Sequence, residues 1–211
     1  MDIVKYKYVF FDFDGTLADT EEVNFVIYQK LAEKYNLRNI TIDELGHIKK
    51  MSAKELMTYV ELKKRYLPFI LKRGKNLLKL DIKNVKPCKD DMFDVILQLK
   101  SMGIQTAIIT TNSKANVEMF LEEHNGNIFD FIAGSSMFGK ESKIRRIMKK
   151  AKINPKDVLY VGDEIRDIHA AKNSCIHIAS VAWGYNTVES LKKHNPEYLI
   201  YEPSELINIC K

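Results

Sequence analysis

The hydrophobic positions of this chain follow two rhythms, and the change falls at Pro87. Before it, a β-branched and aromatic run over residues 4–11 stops at acidic residues and Gly15, which predicts a buried strand. Residues 21–35 then place Val23, Val26, Ile27, Leu31 and Tyr35 at helical spacing. Residues 41–50, 52–62 and 64–80 continue as helices, with Thr41 and Ser52 as N-caps. No strand is expected between Gly15 and Pro87.

After Pro87 strands and helices alternate. Helices are predicted over 90–101, 114–124, 141–151 and 164–173, and strands over 104–110, 131–133, 158–161 and 176–181. Gly103 follows the first of these helices at the position that favours a left-handed residue. Apolar strands in regular alternation with helices imply a parallel sheet covered on both faces. The expected architecture is therefore an α/β, Rossmann-like core built from residues 1–15 and 87–211. An all-helical module over 16–86 interrupts it just after the first strand, and the chain has no internal repeat.

Composition narrows the class. Hydrophobic residues make up 45% and charged residues 29% of 211, so disordered, collagen-like and disulfide-stapled classes are excluded. No apolar stretch reaches the length of a membrane span, and the run at the start is cut by Asp12, so neither a signal sequence nor an anchor is expected. Cys88, Cys175 and Cys210 are scattered and odd in number, which points to reduced thiols in a cytoplasmic protein. The net charge of +5 is uneven: residues 20–86 carry 15 Lys and Arg against 8 Asp and Glu. That excess fits a solvated helical surface or a basic lid over an anionic ligand. No nucleic-acid-binding motif accompanies it, and no specific nucleic-acid partner is expected.

The chemistry gathers at strand ends, where ligands bind in open α/β sheets. The first strand runs into Asp12-Phe13-Asp14-Gly15-Thr16, two carboxylates close enough to need a cation or a shared proton. A hard ion such as Mg²⁺ meets that need. The strand over 104–110 leads to Thr110-Thr111-Asn112, whose hydroxyl and amide would hold an oxyanion or cap the next helix. The strand over 158–161 leads to Gly162-Asp163-Glu164-Ile165-Arg166-Asp167, with Asp163 and Asp167 sharing a face at a helix start. Phe138-Gly139-Lys140 opens the helix before that strand.

These four motifs, in this order, resemble those of the haloacid dehalogenase superfamily, and the longer run DFDGTLADT resembles its phosphoglycolate phosphatase-like branch. The resemblance implies Asp12 as nucleophile and Asp14 as general acid and base. It implies a Mg²⁺ site of Asp12, the Asp14 backbone carbonyl and Asp163, with Asp167 ligating or orienting through water. Thr111, Asn112, Gly15 and Lys140 would meet the phosphoryl group. Thr111 is preferred to Thr110 because it precedes Asn112, and Lys140 to Lys143 by spacing. The helical module stands where the family carries its cap, and Lys49, Lys50 and Lys54 are its candidate contacts to an anionic substrate. The implied activity is hydrolysis of a small phosphorylated metabolite. A phosphomutase or phosphonate hydrolase on the same core, and a binding protein that keeps the fold, are the rival readings. A mutase would need a cap histidine, and His47 is the single histidine before residue 124.

Overall fold

The computed structural model describes residues 4–211. Six strands form one parallel sheet in the order β3-β2-β1-β4-β5-β6: β1 Tyr8–Phe11, β2 Gln105–Thr110, β3 Phe131–Gly134, β4 Val158–Gly162, β5 His177–Val181 and β6 Tyr198–Ile200. The α/β, Rossmann-like expectation is met. Alternation along β1 sends Val9 and Phe11 to one face and Phe10 to the other, and two separate apolar layers form there. Helices α5 (Met92–Ser101), α6 (Lys114–Glu123) and α10 (Glu205–Cys210) cover the first face. Helices α7 (Lys140–Ala151) and α8 (Ile165–Asn173) cover the second, and α9 (Val188–Lys193) adds Leu191 to it.

Strand β1 is shorter than the apolar run that announces it. It begins where both neighbours begin, Tyr8 pairing with Gln105 and with Val158, and before it Lys7 alone of residues 4–7 bonds to both sides, donating to Asp157 O and accepting the Gln105 N–H. The reading of the sequence also stops short of α9, β6 and α10, the last elements of the chain. Those elements are brief and sit among Asn, Pro and Glu residues that suggest only loop.

Between β1 and α5 every regular element is helical: α1 Glu21–Tyr35, α2 Leu45–Ile48, α3 Ala53–Tyr59 and α4 Leu67–Asp81, with 3₁₀ turns at Ile42–Glu44, Lys64–Tyr66 and Ile82–Asn84. Single helices were expected over 41–50 and 64–80; each instead starts as a 3₁₀ turn. Ser52 caps α3 as expected, its hydroxyl accepting the Glu55 N–H while the Glu55 carboxylate accepts the Ser52 N–H. The outgoing and returning connections run side by side. Asp19 N–H donates to Lys86 O at 2.9 Å and Cys88 N–H to Leu17 O at 2.9 Å. No helix among the described residues is long and apolar enough to cross a membrane.

Candidate active site

Three carboxylates and one ammonium group meet at the carboxyl ends of β1 and β4. Asp12 leaves β1 on the face covered by α7 and α8, and its Oδ2 accepts from Lys140 Nζ at 2.7 Å. Lys140, the first residue of α7, also pairs with Asp167 on α8. Its ammonium is buried over the Tyr160 ring, 5.4 Å from the centroid. Burial opposes that charge, but Asp12 and Asp167 outweigh it and raise the lysine above its ordinary value. Lys143, one turn further along α7, is half-exposed and makes no ion pair with the acidic cluster, so geometry favours Lys140.

Asp163 ends the β4 side of the cluster. Its Oδ1 accepts from the Thr16 hydroxyl at 2.7 Å and its Oδ2 from the Tyr185 N–H at 2.8 Å. Asp12, Asp163 and Asp167 each place a carboxylate oxygen within 4.8 Å of the others, and all three are buried. One lysine faces three carboxylates. Burial first, then the charges of Glu164, Asp167 and Asp12, push Asp163 far above the carboxylate range. Asp167 rises to about 6, chiefly through burial, against the pull of Lys140. Buried oxygens in negative excess are the donor set that a hard divalent cation takes, so these residues fit Mg²⁺.

Asp14 belongs to a different environment. It lies beyond β1 in a turn that needs Gly15 at φ +74°, and its carboxylate faces the helical module. The Thr20 hydroxyl donates to Oδ1 at 3.0 Å, and Asn112 Nδ2 reaches both oxygens at 3.0 and 3.1 Å. Burial and the nearby charge of Asp12 raise Asp14 to about 6. A Cβ on Gly15 would overlap Asp163 and Tyr185, so glycine also permits the close approach of these groups. Asn112 is oriented in turn, its Oδ1 accepting from Ser113 N–H and Asn116 Nδ2. Thr110 is buried, with its hydroxyl accepting the Asn112 N–H at 2.9 Å, whereas Thr111 lines the cavity next to Asp14.

A cavity of 390 Å³ opens from Asp14, Thr111 and Asn112 into the helical module. Of the three lysines expected to meet an anionic substrate, Lys49 alone lines it, and Lys49 pairs with Glu21 at 2.8 Å. Lys50 and Lys54 are exposed and outside it, because α2 and α3 turn those positions to solvent. His47 is exposed, packs edge-on against Tyr59, and does not line the cavity.

Sequence reasoning missed two lining residues. Arg166 pairs with Glu164 and reaches the cavity. Tyr185 accepts from Asn24 Nδ2 at 2.7 Å and shares a hydrogen bond with Thr20 at 2.9 Å, while its N–H holds Asp163. Trp183 and Gly184 read from the sequence as loop packing that borders the site, and here a Cβ on Gly184 would overlap Asp163 and Trp183 Nε1 donates to Thr16 O at 3.2 Å. The signal was faint: an aromatic–Gly–aromatic run just past a strand end.

Comparison with known proteins agrees with this picture. The family model described as haloacid dehalogenase-like hydrolase matches residues 9–181. A phosphoglycolate phosphatase from Synechococcus elongatus is 27% identical over 201 residues, covering 94% of each chain. The pyrophosphatase PpaX of Bacillus velezensis is 25% identical over 207 residues, covering 95% of this chain and 94% of the relative. Among solved structures, a haloacid dehalogenase-like hydrolase from Streptococcus pneumoniae superposes with a TM-score of 0.79 at 19% identity, covering 97% of this chain and 98% of that one.

Proposed function

This chain belongs to the haloacid dehalogenase-like hydrolase family, and on that premise we propose that it is a Mg²⁺-dependent phosphatase cleaving a phosphomonoester through an aspartyl-phosphate on Asp12. The observation that carries the proposal is the division of labour among the acids. Asp12, Asp163 and Asp167 form a buried trio around Lys140, while Asp14 stands apart, hydrogen-bonded to neutral groups and raised to about 6. The relatives named phosphoglycolate phosphatase and pyrophosphatase support hydrolytic phosphoryl transfer, the first of them from an ester.

In the proposed reaction an Asp12 carboxylate oxygen attacks phosphorus and the bond from phosphorus to the alcohol oxygen breaks. Protonated Asp14 gives its proton to the leaving alkoxide. Ionised Asp14 then takes a proton from water, whose oxygen attacks the phosphoaspartate, and inorganic phosphate leaves with the Asp12 carboxylate restored. Lys140, Thr111 and Asn112 stabilise the transferring group, and Lys140 offsets the charge on Asp12 throughout. Mg²⁺ bound by Asp12, Asp163, Asp167 and the Asp14 carbonyl would screen repulsion between phosphate and nucleophile.

Phosphate release from a panel of small phosphomonoesters tests this, in Mg²⁺ and in EDTA, for the native chain and Asp12→Asn. Turnover should require Mg²⁺ and fall at least about a thousandfold in the variant. Equal turnover by the variant would rule out Asp12 as the nucleophile.

A further inference from the structure

The cavity that opens from Asp14 has a polar end and an apolar depth. Thr111, Asn112 and Tyr185 surround Asp14 at the polar end. Beyond them the walls are Phe25 and Leu31 of α1, Leu45 of α2, Leu56 of α3 and Ile70 and Leu71 of α4. Two of the cations that line the cavity are already used, Lys49 by Glu21 and Arg166 by Glu164. Lys75 of α4 is the remaining lining cation among the described residues; it makes no ion pair and stands at the polar end, where Asn116 Nδ2 donates both to its carbonyl and to Asn112 Oδ1. The apolar depth therefore offers no free charge to a carboxylate or a second phosphate, and an unpaired anion buried there is costly. At 390 Å³ the cavity falls in the range of small-molecule sites, and a two-carbon acid would leave most of its apolar wall facing water.

We propose that the substrate is a phosphomonoester whose alcohol part is an uncharged, apolar group seated among α1, α2, α3 and α4, with its phosphoryl group at Asp12. This rests on the phosphatase reading and departs from a charged two-carbon leaving group such as glycolate. The helices that close over the sheet supply specificity by removing apolar surface from water, and hydrolysis frees the apolar alcohol together with phosphate.

The test is a homologous series of methyl, propyl and hexyl phosphate with phosphoglycolate alongside, each with Mg²⁺. Each methylene buried should raise kcat/KM by up to about fourfold, and hexyl phosphate should exceed both methyl phosphate and phosphoglycolate by at least about tenfold. Leu56→Asn and Ile70→Asn, on separate helices, should each cut the hexyl-to-methyl ratio by at least about threefold. A flat series, or phosphoglycolate in the lead, overturns the proposal and leaves the phosphatase reading standing. Should the native chain hydrolyse nothing, calorimetry of hexyl and methyl phosphate on Asp12→Asn separates the two ideas. Hexyl phosphate binding at least about tenfold tighter supports the apolar pocket and removes only the hydrolysis. Equal affinities overturn the pocket.

Discussion

Lys140 shows what a single residue does in this site. Both Lys140 and Lys143 open α7, and spacing prefers Lys140, which shares a face with Ile144 and Met148 at intervals of four. Burial decides: Lys140 lies between Asp12 and Asp167, and the helix carries Lys143 round toward solvent. Lys140→Met would leave two buried carboxylates without their cation, a change that typically costs about 3–5 kcal/mol. Phosphate release should fall at least about a hundredfold in that variant, since charge on the transferring group would lose its fixed partner. Lys143→Met should stay within about twofold in rate and about 0.5 kcal/mol in stability. Chemical denaturation and steady-state assays on both variants check the pair of outcomes, and similar effects from the two would refute the assignment. The carboxylates were easier to read, because Asp12, Asp14, Asp163 and Asp167 follow apolar strands in a fixed pattern. Tyr185 and Arg166 were not, since their place in the site depends on loop and helix packing that no local pattern encodes.

At the scale of elements, the long periodic segments were legible and the short ones were not. Helix α1 has the predicted bounds because its apolar positions repeat over four turns. Strand β6 has three residues and α9 and α10 six each, too few for a period to emerge, and their stability comes from packing on a sheet already formed. The contacts that join the helical module to the sheet were likewise out of reach, and several of them converge on Asn186. Its Oδ1 accepts the Ile165 N–H at the start of α8, and its Nδ2 donates to Lys49 O and Met51 O at 2.8 and 3.0 Å. Thr187 N–H and the Ser190 hydroxyl add bonds to Lys49 O and Lys50 O. Asn186→Ala would strip all three Asn186 bonds, at about 1–3 kcal/mol of stability. Asn186→Asp keeps the acceptor toward Ile165 and loses only the two donors to the helical module. If those donors hold the helices over the site, Asn186→Asp should raise KM about fivefold with kcat within about twofold. A change confined to kcat would place Asn186 in the chemistry instead.

The whole molecule folds around a concentration of negative charge that its one buried lysine does not balance. Net charge hides this, because the surplus of basic residues lies in 20–86 while the acids converge at the carboxyl ends of the two central strands. A carboxylate whose pKa is higher folded than unfolded holds its proton more tightly in the native state. Its contribution to stability is complete below the unfolded value, about 4, and is lost as pH rises through the folded value. Asp14 and Asp167, both near 6, and Asp163, raised by burial and by the charges around it, all have this sign. Metal-free protein should therefore gain stability as pH falls from about 7.5 to about 5.5. His169, lowered by burial and by His194 beside it, opposes this gain within the window, and the other opposing groups act lower. Glu44, held near 2 by the Tyr59 hydroxyl and the Thr41 N–H, loses its contribution only as pH drops below about 4.5. A divalent cation on the trio favours the ionised carboxylates, so saturating Mg²⁺ should raise the Tm most at the upper end of that window and flatten the profile. Thermal melts in EDTA and in Mg²⁺ across it should converge toward about pH 5.5 and separate by on the order of 5 °C near pH 7.5. A metal-free Tm that falls steadily with acidification across the same window would mean that the buried acids do not carry the excess charge assigned to them here.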